Sequence, residues 1–96
     1  MANAWWLRCE VLPGPFETER VVVLHEMTHG STLQLIVDSD LVQSDGPVTH
    51  DKPVSGRVRV LRSGETPGRA NVLLPVPSLE FGSIIAVPPA ELVAVG

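Results

Sequence analysis

The sequence predicts a small all-β domain, and three observations carry that prediction. Valine leads the apolar residues, and its branched Cβ favours strands over helices. Nine prolines and eight glycines interrupt the chain at short intervals, as turns between short strands require. Ninety-six residues, 44% hydrophobic and 19% charged, suffice for one core, so residues 1–96 are expected to form a single folded domain.

The elements follow in order. Leu7, Cys9 and Val11 alternate with Arg8 and Glu10, the pattern of a half-buried first strand. Pro13-Gly14-Pro15 then forces a turn, because two fixed φ angles flank a permissive glycine. A second strand is expected from Phe16 or Thr18 to Leu24, and its Val21-Val22-Val23-Leu24 run is apolar on both faces. Leu33, Leu35 and Val37 alternate with Thr32, Gln34 and Ile36 in a third, so residues 19–38 read as a β-hairpin. Residues 39–55 are rich in Asp, Ser, Gly, Pro and Thr and read as a long surface loop, with Leu41 and Val42 able to pin it to the core. Val58 and Val60 oppose Arg57 and Arg59 in a strand over 56–62, and residues 63–68 link it to a strand over 71–74. Pro75 and Pro77 cannot donate ladder hydrogen bonds and end that strand or place it at an edge. Residues 81–87 are the next strand. Pro88-Pro89-Ala90-Glu91-Leu92 suits one helical turn, and residues 93–95 close the chain as a brief strand.

Five or six short strands, one long loop and a helical turn before the last strand resemble small SH3-like barrels. The run Ile84-Ile85-Ala86-Val87-Pro88-Pro89-Ala90-Glu91-Leu92-Val93 carries most of the likeness. Such barrels serve as peptide, nucleic-acid or partner-binding modules, and the fold alone does not choose among these.

Composition narrows the choice. A formal net charge of −4 argues against a general polyanion binder, and 4% aromatic residues with no tyrosine leave little for base stacking. One cysteine excludes an intramolecular disulfide framework and a Cys-rich zinc module. The start of the chain has Trp5, Trp6 and Leu7 but no basic head, and no apolar run reaches spanning length. The expected setting is therefore the cytoplasm, away from membranes, with Cys9 as a small buried hydrophobe on the core face.

One short motif points to catalysis. His25-Glu26-Met27-Thr28-His29 matches HExxH, whose two histidines share a helix face and bind one zinc while the glutamate acts as general base. The stretch from Val22 to Gly30 resembles the active-site helix of thermolysin-type zinc metallopeptidases. That resemblance implies His25 and His29 as zinc ligands and Glu26 as base. Independently of it, His50 with Asp51 could join His25 or His29 in a metal site across loops, though the spacing does not require it. The β-branched residues before the motif and Gly30 after it instead predict strand, turn and strand. On that reading the two histidines diverge at a hairpin tip, the chain needs no metal or other cofactor, and Glu26→Gln leaves stability unchanged.

Two features suggest binding. Lys52, Arg57, Arg59, Arg62 and Arg69, five of the seven basic residues, fall within 52–69, so the local field there should oppose the global one. Trp5 and Trp6 are adjacent, so on a strand they point to opposite faces, one toward the core and one outward. The expected function is a non-enzymatic macromolecule-binding module with a protein partner, using Arg57, Arg59 and a tryptophan at 5 or 6. The alternatives are a zinc-binding protein or metallopeptidase-like enzyme built on His25, Glu26 and His29, and a structural subunit of an assembly, held through Trp5 or Trp6 and an exposed strand edge, with a homo-oligomer one form of it.

Overall fold

Apolar–polar alternation writes the strands, and the computed structural model, which describes residues 4–95, joins them in one curled antiparallel sheet. They are β1 (Ala4–Pro13), β2 (Glu19–His25), β3 (Thr32–Asp38), β4 (Val42–Ser44), β5 (Val54–Thr66), β6 (Arg69–Ser78), β7 (Gly82–Val87) and β8 (Leu92–Ala94). Single 3-10 turns occupy Ser39–Leu41 and Pro89–Glu91. The spatial order is β3-β2-β1-β5-β6-β7, with β4 added beside β5 and β8 beside β1.

The side-chain period of two decides the core. Leu7, Cys9 and Val11 of β1, Leu33, Leu35 and Val37 of β3, and Val58 and Val60 of β5 are all buried on the concave face. Val22, Val23 and Leu24 of β2 are buried in succession, as a strand with both faces apolar requires. The hairpin over 19–38 forms in unbroken register from Glu19 opposite Asp38 to His25 opposite Thr32.

Three expectations change. The segment 39–55 is not all loop: its first residues make a 3-10 turn and β4, which adds to β5 from Val42 opposite Val58 to Ser44 opposite Gly56. Residues 63–66 continue β5 rather than linking it onward: its ladder with β6 starts at Leu61, passes a bulge between Arg62 and Gly64, and runs on to Thr66 opposite Arg69. β6 in turn runs through Pro75 and Pro77, which lie where its register with β7 breaks, between Leu73 and Ser78.

The sheet also stays open. β3 and β7, the ends of the strand path, share no ladder among the described residues. The hairpin tip before β3 reaches β7 through a hydrogen bond from Met27 N–H to the Ala86 carbonyl at 2.9 Å. The result is a half-barrel, coarsely consistent with an SH3-like fold and not a closed barrel. Neither Pro75 nor Pro77 has an N–H to extend a ladder where β6 passes β3. No helix among the described residues is long and apolar enough to cross a membrane.

Candidate functional site

The HExxH motif does not lie on a helix. His25 ends β2, and residues 27–30 form the hairpin tip, where Gly30 takes the left-handed conformation at φ 66°. The two histidines diverge: His25 Nδ1 lies 3.3 Å from Thr32 Oγ1, while the His29 ring packs on Phe81 at 5.2 Å between centroids. His50 is remote from both, sharing a depression with Phe16 and Arg20 at the other end of β2. Among the described residues no group of three or more His, Cys, Asp or Glu side chains is placed to hold a metal ion. These residues do not fit the zinc centre that the metallopeptidase resemblance implies.

Glu26 is instead the staple of the tip. The residue is 3% exposed, and its carboxylate accepts from the backbone N–H groups of Thr28 (2.9 Å), His29 (2.8 Å) and Ser31 (3.2 Å). His29 Nδ1 stands 3.5 Å from the same carboxylate. Burial would raise its pKa, but the three amide donors and the His29 charge outweigh burial and hold it below its ordinary value of 4.5. Two of these donors fall on Oε1 and one on Oε2, so the carboxylate is committed to holding the turn.

The expectation that Glu26→Gln is silent is therefore replaced. An amide presents an NH2 where two oxygens now face three donors, leaving a buried N–H without an acceptor. Glu26→Gln should lower Tm at pH 7 by roughly 5 °C, read by thermal unfolding. Because the folded-state pKa is depressed, the contribution is complete above the ordinary value and lost as pH falls through the folded one. The gap between wild type and variant should accordingly close in acid.

Cys9 lies in the core. Burial first, and the neighbouring Glu10 charge second, push its thiol up to about 12, so at neutral pH it is a protonated core side chain.

The residues predicted to bind fare differently, because the β1–β5 register assembles them. Trp6 stands opposite Arg59, and Arg8 opposite Arg57. Directly opposed residues of an antiparallel pair share a face, so all four lie on the convex side of the sheet. The Arg57 and Arg59 guanidinium carbons sit 5.6 and 5.9 Å from the Trp6 ring centroid, within cation–π range. β8 sets the half-exposed Val93 beside Trp6, and β4 sets Gln43 beside Arg57, whose Nε donates to Gln43 Oε1 at 2.9 Å. Trp5 belongs to the other face, packed partly against the core with the Arg62 guanidinium 4.7 Å from its ring.

Beside this face the sheet is broken. One side of β1 pairs with β8 over Trp5, Trp6 and Leu7, and with β2 from Glu10 to Pro13, which leaves Arg8 and Cys9 between the two ladders. A cleft of about 330 Å³ opens there, with Leu7, Met27, Val87 and Pro88 among its apolar walls and Arg8, Glu10 and Glu91 among its polar ones. Arg8 Nε contacts Glu91 Oε2 at 3.4 Å across the boundary between cleft and convex face.

Arg8, Glu91 and Val93 were not among the residues the sequence singled out. Arg8 follows Trp6 by two residues and so had to share its face, a signal that was present in the alternation. Glu91 and Val93 carried none, since only the pairing of β8 with β1 brings them near. No family model, curated protein or solved structure matches this chain.

Proposed function

We propose that this chain is a non-enzymatic protein-binding module whose ligand face is Trp6 with Arg8, Arg57 and Arg59, and whose partner presents carboxylates. One observation carries the reading: Arg57 and Arg59 flank an accessible tryptophan, yet among the described residues neither has an ion pair. Arg57 also lies directly opposite Arg8, a like-charge pairing that costs stability in the free protein. A partner carboxylate offsets that cost and accepts bidentate hydrogen bonds from guanidinium groups already oriented by the indole. Tryptophan adds the large apolar contact typical of energetic centres in protein interfaces. With 4% aromatic residues and no tyrosine, the chain has little on which to stack bases, which favours a protein ligand over a nucleic acid.

The test is to photo-crosslink the partner in the native host from a probe at Trp6, then measure its affinity for wild type and Arg57→Glu/Arg59→Glu at low and high salt. The double reversal should weaken binding about a hundredfold or more at low salt, and the deficit should shrink as salt rises. An unchanged affinity in a variant that folds normally overturns the reading.

A further inference from the structure

We propose that the cleft at the break in the sheet takes one apolar side chain of that same partner, so that the recognised element is an extended segment with a fixed polarity. This rests on the convex face being the ligand face. The outward rows of β1 and β5 run in order from Trp6 opposite Arg59, through Arg8 opposite Arg57, to Glu10 opposite Ser55. Charge along the face therefore changes sign, from two cationic rows to an anionic one. The cleft opens beside the row where the sign changes, because Arg8 and Cys9 are the residues of β1 left between the β2 and β8 ladders.

Its walls suit an uncharged side chain. The space is at the lower end of the range seen for ligand sites, roughly 300 Å³, and its lining is mainly apolar. The Glu26 carboxylate in the wall is already satisfied by its three amide donors, and Glu91 is paired with Arg8. Glu10 is left as the unpaired rim charge, since no ion pair engages it among the described residues. A segment laid along the face thus places its carboxylates over Arg57 and Arg59 and its apolar anchor in the cleft. Its next residue, over Glu10, is neutral or basic. The ligand class is an acidic peptide segment interrupted by one apolar residue and closed by a non-acidic one.

The experiment is selection of a random-peptide display library on the immobilised full chain, followed by titration of an enriched synthetic peptide and its single-site variants. Expected are peptides with clustered Asp or Glu, then an aliphatic or Met residue, then a neutral or basic one. Replacing the anchor by Ala should weaken binding about tenfold, and Met27→Trp, which fills the cleft from an exposed position of the hairpin tip, should do the same. Glu10→Lys should remove the bias against an acidic residue after the anchor. Acidic peptides that bind independently of the anchor and of Met27→Trp would overturn the cleft assignment and leave the convex face standing. Failure to enrich acidic peptides, or enrichment unaffected by Arg57→Glu/Arg59→Glu, would overturn both.

Discussion

Gly56→Val is expected to destabilise the domain by about 3 kcal/mol and to displace β4 from the sheet. Gly56 is flanked on one side by Cys9 of β1 and on the other by Ser44 of β4. A Cβ added there would collide with the Gln43 carbonyl oxygen and come within 2.8 Å of Val11 Cγ2 and 3.1 Å of Ser44 Cα. Two of these three neighbours are backbone, which cannot rotate away as a side chain would. The strand must shift, and Gln43 then loses its hold on Arg57. Gly56→Ala should show the same effect at smaller size. Gly64→Ala is the control, because nothing lies within 4 Å of a Cβ at that position. Urea unfolding of the three variants checks the prediction: a Gly56→Val midpoint equal to that of Gly64→Ala would contradict the close approach of β4 to β5.

Leu24→Ala should cost about 2–5 kcal/mol, while Ile36→Ala should cost less than about 1 kcal/mol. Both residues lie on the β2–β3 hairpin, and they differ in the face they occupy. Leu24 is 1% exposed and stands opposite Leu33 in the core, whereas Ile36 is 49% exposed on the convex side. Truncating Leu24 removes transfer energy and leaves a cavity that a close-packed interior closes only in part. Total stabilities of single domains are about 5–15 kcal/mol, so this one change should move the denaturant midpoint substantially at an unchanged slope. Equal effects at the two positions would mean that the hairpin register is wrong by one residue, since such a slip exchanges every inward and outward side chain.

Much of this architecture was legible in local pattern. The alternation of Leu7, Cys9 and Val11, and of Leu33, Leu35 and Val37, assigned both strands and their buried faces. The Pro13-Gly14-Pro15 turn, the hairpin through Gly30 and the 3-10 turn at Pro89–Glu91 follow from backbone preferences that act within a few residues. The departures came where a distant strand decided the outcome. Val42, Gln43 and Ser44 lack the composition of a strand and became one because β5 offers them an edge. Closure of the barrel failed at the sheet ends, which the sequence places far apart. Glu26 was weighed as a catalytic base, and its real partners are backbone amides that carry no residue-type signal at all.

The candidate site divides in the same way. By itself the sequence determined that Arg57 and Arg59 share the outward face of one strand, and that Trp5 and Trp6 point oppositely, since a side-chain period of two is a property of the local backbone. Only the tertiary structure decided which tryptophan meets the arginines, through the register that sets Trp6 opposite Arg59. It also decided that Arg8 joins them, and that a cleft opens where β2 and β8 fail to meet along β1. Neighbourhood across a sheet is set by which strands pair and by their offset. Those are fixed by the joint burial of side chains far apart in the chain, to which no local pattern refers.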